Sequence, residues 1–279
     1  MRKPIIAIIY DFDKTLCTTD MQNYSFIPSL GMTPEEFWKE TGKFCDQFGV
    51  EKILGYMYLM FSKCREKNIP LTKKFLAECG EKIEFFPGVE TWFKRIKDFG
   101  AEHNVKIEHY LCSSGNKEII NGSKIAKYFK AIFGCEFVYD PISKNAIWPK
   151  NAVNYTQKTQ YLFRISKGIL DISDDDNLNA RTKKRRIEYH HMIYLGDGIT
   201  DVPCMEIINS YGGFSIAIES SKSSQNTSKK LLDDKRVKYI CRGDYKDGSK
   251  LDKLVKNIIL LIENESRIAK FDKSHKEDK

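Results

Sequence analysis

The chain has 279 residues, 41% of them hydrophobic and 30% charged, with a formal net charge of +8. That length admits one large domain or a domain with a smaller insert, and the longest apolar runs, at 53–61 and 258–262, fall short of the ~20 residues of a membrane-spanning helix. Eight scattered cysteines with no CxxC pair exclude a disulfide framework and a zinc cluster, while the positive excess suits an anionic partner without choosing among nucleic acid, an anionic surface and a phosphorylated metabolite.

In chain order, the first element is PIIAIIY at 4–10, an apolar run of the kind that forms a strand buried on both faces. It follows Arg2 and Lys3 and so mimics a signal peptide, but Asp-Phe-Asp comes next and no small-residue cleavage site does. Residues 18–84 show no clear strand. Thr33-Pro34-Glu35-Glu36 is a capping box that starts a helix, a second helix is expected over about 50–66 and a third over about 72–84. Tyr24, Phe26, Phe37, Trp38, Tyr56 and Tyr58 in this segment either form its own small core or line a pocket. Strand patterns then return. IEHYLC (107–112), IFGCEFVY (132–139), HMIYLG (191–196), FSIAI (214–218) and VKYIC (237–241) read as further strands. The adjacent His190 and His191 are placed on opposite faces of the strand that contains them.

Helical stripes separate the strands. Val89, Trp92, Phe93 and Ile96 share one face, and Leu251, Leu254, Val255, Ile258, Leu261 and Ile262 follow Ser249, a helix N-cap. Residues 140–155 read as a hairpin or extended flap, and 169–187 as a mobile polar surface loop. The expected fold is therefore α/β: a Rossmann-like, doubly wound parallel sheet formed by 1–17 and 85–269, a small α-helical cap at 18–84, and a frayed charged tail at 270–279.

Ligands of open α/β sheets bind beyond the carboxyl ends of the strands, so the polar residues that follow apolar runs form a separate set. After the first strand come Asp11, Asp13 and Thr15, after IEHYLC come Ser113, Ser114 and Gly115, and after HMIYL come Asp197, Gly198 and Asp201. Four carboxylates at one sheet edge repel one another unless a cation joins them, and an all-oxygen donor set suits Mg2+. Mg2+ in turn points to phosphate chemistry.

DFDKT at 11–15, CSSG at 112–115 and GDGITD at 196–201 resemble, in order, the first, second and fourth motifs of the haloacid dehalogenase superfamily, over about residues 5–220. The third motif of that family is a lysine. Lys158 fits it best, with Lys144, Lys150 and Lys167 as rivals. The resemblance implies a Mg2+-dependent phosphatase of small phosphorylated metabolites, with Asp11 as the nucleophile that becomes an aspartyl-phosphate and Asp13 as the general acid and base. It further implies that Asp11, the main-chain carbonyl of Asp13, and Asp197 hold Mg2+, with Asp201 ordering the surrounding shell. Thr15, Ser113, Ser114, Gly115 and Lys158 would form the phosphate site, and Gly198 would allow a tight turn. A cap inserted after motif one is similar to that of the phosphoserine-phosphatase-like branch, whose acidic residue for the substrate amine could correspond only to Asp20.

Transfer to an acceptor other than water is the alternative within the family. A nucleic-acid or partner-binding protein that uses the basic run 181–186 is the alternative outside it, and it leaves the aspartates unexplained. No membrane partner is expected, and a cytoplasmic location is.

Overall fold

Ile6 to Tyr10 are all fully buried, as the centre of a sheet covered on both faces requires. They belong to β1 (Ile5–Tyr10), the middle strand of a seven-stranded sheet in a computed structural model that describes residues 3–181, 185–221 and 224–277, the side chains of Ile199 and 270–277 excepted. The helical segment follows: α1 (Phe26–Ser29), α2 (Pro34–Phe48), α3 (Lys52–Glu66) and α4 (Lys73–Gly80). Next come α5 (Val89–Glu102), β2 (Lys106–Asn116), α6 (Lys117–Gly122), β3 (Phe129–Tyr139), β4 (Ala146–Asn151), α7 (Tyr155–Lys167) and α8 (Asp175–Asn179). The chain ends with β5 (Met192–Gly196), α9 (Val202–Ser210), β6 (Phe214–Glu219), α10 (Gln225–Asp233), β7 (Tyr239–Arg242) and α11 (Lys250–Glu277).

The strand order is β4-β3-β2-β1-β5-β6-β7, all parallel except β4, which runs antiparallel to β3 as the outer arm of a hairpin. From β1 the chain builds one wing of the sheet and then returns to build the other from β5. The ends of β1, β2 and β5 therefore meet at the switch in winding direction, where a crevice is expected. Behind β1, Trp92 Nε1 donates to the Tyr10 hydroxyl at 2.8 Å, and that hydroxyl lies 3.0 Å from His109 Nδ1, so the buried polar groups of this core satisfy one another. All eight cysteines are buried free thiols.

Thr33 forms the expected capping box with Glu36, which fixes the start of α2. The helix expected over about 72–84 is α4, the fourth of the segment once the short α1 is counted, and it ends at Gly80. Within the segment Phe26 packs edge-on to Phe37 and Phe37 to Trp38, and these side chains are continuous with the core around the sheet. The two strands of chain that join this segment to the sheet run side by side. Thr18 N donates to Glu84 O and Phe86 N to Leu16 O. Tyr24 locks them together, because its hydroxyl accepts from Thr18 N at 2.8 Å and Thr19 N at 3.0 Å and donates to Glu84 O at 3.0 Å.

Several local expectations need correction. His190 and His191 lie in a 3-10 turn, Tyr189–His191, that precedes β5 instead of within it. The segment read as a charged tail continues α11 to Glu277, since residues 270–277 contain neither Gly nor Pro; residues 278–279 lie outside the described residues. The insert at 169–187 is organised where it is described. The buried Arg164 guanidinium donates to Asp171 O at 2.6 Å and Ile172 O at 3.0 Å and pairs with Asp175 Oδ1 at 2.8 Å. Of the basic run, 182–184 lie outside the described residues.

Arg164→Met should release the insert, since three backbone or carboxylate acceptors lose their donor. Limited proteolysis should cut 170–181 about tenfold faster, equivalent to ~1.4 kcal/mol in the local opening equilibrium. An unchanged cutting rate would show that other contacts hold the loop.

Candidate active site

The apolar strand β1 ends at Tyr10, and Asp11 N still bonds to Leu195 O at 2.9 Å, so the first aspartate sits at the sheet's carboxyl edge and not in a free loop. A tight turn follows, with Leu16 N donating to Phe12 O at 2.9 Å. Lys14 takes a left-handed conformation in it, φ 56°, which costs a non-glycine residue ~1–2 kcal/mol. Its ammonium reaches Asp20 at 2.8 Å.

Lys158 lies in the first turn of α7 behind the N-cap Asn154, and this placement drives its side chain into the sheet edge. It is fully buried, with Nζ 3.0 Å from Asp11 Oδ1 and 2.8 Å from Asp201 Oδ1. The contact with Asp11 is an ion pair without hydrogen-bond geometry, whereas that with Asp201 is also a hydrogen bond. Burial works to lower the Lys158 pKa, but the two carboxylates together raise it well above the ordinary lysine value. The rivals are elsewhere: Lys150 pairs with Glu136, Lys144 bonds to Pro141 O, and Lys167 bonds to Ala180 O.

Asp201 is saturated by donors. Tyr194 hydroxyl gives Oδ1 a second bond at 2.7 Å, and Gly198 N approaches Oδ2 at 3.3 Å. The expected role of Gly198 as the tight point of this loop shifts to Gly196. An added Cβ at Gly198 would meet nothing closer than 3.9 Å, but at Gly196 it would lie 2.5 Å from Asp201 Oδ2. Carboxylate oxygens of Asp11, Asp197 and Asp201 lie within 4.8 Å of one another. Burial, reinforced by Asp201, pushes Asp11 up to about 6 in spite of Lys158. Burial and then Asp11 and Asp201 push Asp197 well up. Asp13 is raised by burial, by Asp20 and by Asp11, and its Oδ1 accepts from Met21 N at 2.7 Å.

The end of β2 supplies the third edge. Ser113 is buried, and its Oγ accepts from Gly115 N at 2.9 Å. Ser114 Oγ and Thr15 Oγ1 are buried without a hydrogen-bond partner. Gly115 has no room for a side chain, since a Cβ would lie 2.0 Å from Met21 Cε and 3.1 Å from Asp13 Oδ2. The structure thus brings Lys158 into contact with Asp11 and Asp201, with an Asp197 oxygen within 4.8 Å of theirs, Asp13 and Gly115 beside them and Ser113 at the adjoining strand end.

Three supporting residues, Tyr194, Tyr245 and Gln22, escape a reading of the sequence, while Tyr56 is among its aromatic candidates. Tyr194 is one of five buried positions in β5, and nothing in that run marks the hydroxyl that reaches Asp201. Tyr245 donates to Thr15 O at 2.7 Å from a loop 230 residues away in sequence. From the helical segment, Tyr56 donates to Ser114 O at 2.7 Å and Gln22 donates to Asn116 Oδ1 at 3.1 Å. Tyr56 alone of the six aromatic candidates is seen to reach the strand-end loop; Phe26 and Phe37 pack on each other, and Tyr58 stacks on Phe44. Asp20 is already held by an ammonium of the chain itself, that of Lys14.

The donors fit a hard cation. They are all oxygens, two of the three carboxylates are buried, and the one ammonium that touches the cluster does not balance them.

No family model matches the chain. An uncharacterized protein of Borreliella burgdorferi is 31% identical over 276 residues, which is 90% of this chain and 95% of that protein. Among solved structures, a HAD family hydrolase of Salmonella enterica serovar Typhi matches with a TM-score of 0.58 at 15% identity, over 92% of this chain and 72% of that one. A substrate-bound phosphoserine phosphatase also matches at 0.58, with 16% identity, over 92% of this chain and 99% of that one. At such identities the likeness establishes the fold.

If the carboxylates are held together against their repulsion, removing one should stabilise the metal-free protein. Asp197→Asn should raise the melting temperature in chelator by about 2–4 °C, the shift that ~1 kcal/mol produces in a large domain, and should lack the stabilisation by Mg2+ expected of the wild type. A lowered melting temperature, or undiminished stabilisation by Mg2+, would contradict this.

Proposed function

The chain belongs to one family with the Borreliella burgdorferi protein and carries the haloacid dehalogenase fold, and from that premise we propose that it is a Mg2+-dependent phosphatase of small phosphorylated metabolites. One observation carries the reading: Asp11, Asp197, Asp201 and Lys158 converge at the switch point of the sheet, with a second aspartate, Asp13, two residues beyond the first.

Asp11 is the nucleophile. Its carboxylate oxygen forms a bond to phosphorus as the bond to the leaving oxygen breaks, giving an aspartyl-phosphate. Asp13 donates its proton to that leaving oxygen. Burial and the neighbouring Asp20 and Asp11 raise its pKa, which favours the protonated form this step uses. Asp13, now ionised, takes a proton from water, the resulting hydroxide attacks phosphorus, and phosphate leaves with Asp11 restored. Met21 N fixes the Asp13 carboxylate throughout. Lys158 and Ser113 hold phosphoryl oxygens, and Asp201 and Tyr194 keep the Lys158 ammonium in place. Asp11, the Asp13 carbonyl and Asp197 would hold Mg2+, which when bound supplies neutralisation of phosphoryl charge.

Residues 18–84 act as a cap in this reading. Tyr56, Gln22 and Met21 bring the helical segment onto the 113–116 loop, which supports a small substrate enclosed away from water.

Release of phosphate from an aryl phosphate should require Mg2+ and stop in chelator. Asp11→Asn should abolish turnover, and Asp13→Asn should lower kcat by ~10^2–10^4, the usual contribution of a general acid. Turnover that persists in Asp11→Asn would overturn the mechanism.

A further inference from the structure

The net charge of +8 and the basic run are not accounted for by the aspartate site, and the structure gives part of that charge a location. At the opposite end of the sheet, the amino ends of β1 and β2 and the last turns of α5 surround an open cavity of about 390 Å3. Four cations line it: Lys3, Lys97, Lys106 and Arg186. Its remaining lining is apolar, including Ile5 and Ile107, and no acidic or nucleophilic side chain lines it.

The charges around it are unbalanced. Glu108 is the one carboxylate behind the cavity, and three cations share it: Arg186 at 2.6 Å, Lys130 at 2.9 Å and Lys106 at 3.1 Å. That crowd holds the Glu108 carboxyl far below the usual range in spite of its burial. Arg186 is gripped by both Glu108 oxygens, so the end of the basic run is pinned to the cavity wall. Lys3 and Lys97 have no ion pair or hydrogen bond among the described residues. Lys97 is close enough to the buried His109 to help hold its imidazole neutral. Like charges gathered this closely repel unless an anion joins them.

We propose that this cavity is a second binding site, for a small ligand that carries more than one negative charge and an apolar body. The charged head would lie between Lys3 and Lys97, and the body against Ile5 and Ile107. With no carboxylate, imidazole, thiol or hydroxyl in its lining, and its cations protonated, the site would bind its ligand without turning it over. It stands independently of the chemistry proposed for the aspartates, which lie at the other end of the same strands.

ADP serves as the probe and pyrophosphate as the control without an apolar body. Both are titrated calorimetrically into the full chain in chelator, where the metal-free aspartates repel anions. ADP should bind the wild type and Asp11→Asn alike. Its affinity should fall tenfold or more in Lys97→Glu and further in Lys3→Glu/Lys97→Glu, two positions exposed enough for folding to be unaffected. Aryl phosphate turnover should be unchanged in both variants. Absence of ADP binding in the wild type, or binding that survives the double charge reversal, would overturn the proposal. Pyrophosphate binding as tightly as ADP would overturn the apolar half of it.

Discussion

A single buried ammonium stands between two carboxylates from opposite sides of a switch in sheet winding. Lys158 is 3.0 Å from Asp11 and 2.8 Å from Asp201, and neither Lys158 nor Asp201 is accessible to solvent. Desolvation of such charges is expensive, and only close pairing with further hydrogen bonds offsets it. The surroundings supply those bonds: Tyr194 and Gly198 N to Asp201, the N-cap of α7 to the turn that carries Lys158, and the β5 carbonyl of Leu195 to Asp11 N. The constraint thus ties β1, β5, α7 and the loop before α9 to one point. Removing Lys158 would leave two buried carboxylates without their cation.

From that point the rest of the edge follows. Since Lys158 balances only part of the negative charge, Asp197 and Asp13 remain with raised pKa values and an oxygen-rich concavity between them. The Lys14 turn directs Asp13 back over the site, and Tyr245 ties the carbonyl of Thr15 to the far end of the chain. Arg95 in turn bonds to Tyr245 O at 2.5 Å and pairs with Asp252 at 3.2 Å, which joins α5 and α11 to the same support. The helical segment meets this edge through Tyr56 to Ser114 O and Gln22 to Asn116, and elsewhere it packs closely on the sheet's own elements: Gly80 of α4 lies directly against α6, and Ala146 N donates to Leu71 O at 2.8 Å. Its linkers are knitted by one phenol, that of Tyr24.

Much of this was legible in the sequence because the relevant signals are local. The run at 4–10 is too apolar to be anything but a central strand, and carboxylates directly after it must lie at its end. The same logic placed Ser113–Gly115 and Asp197–Asp201, and the capping box at Thr33 marked the start of α2. Lys158 could be preferred over Lys144, Lys150 and Lys167 because it starts a helical pattern, a local cue as well. What escaped depends on contacts distant in sequence. Tyr194 and Tyr245 look like any buried aromatic until the fold shows their hydroxyls' acceptors. The order at 169–181 comes from Arg164 and Lys167 in α7, which a polar loop sequence does not reveal. The basic run was read as one unit, whereas Arg186 is anchored at Glu108 across the sheet. Charge patterning shows that cations are present but not which carboxylate they meet.

The central claim is that Asp11 is a nucleophile whose reaction depends on a metal held by its neighbours. Fluorine NMR of the full chain with beryllium fluoride and Mg2+ tests it most directly, because this phosphate analogue attaches to a carboxylate only where a phosphoryl group would be accepted. The account predicts a bound resonance in the wild type that disappears in chelator and in Asp11→Asn. A bound resonance that persists in Asp11→Asn, or none in the wild type with Mg2+ present, would contradict it.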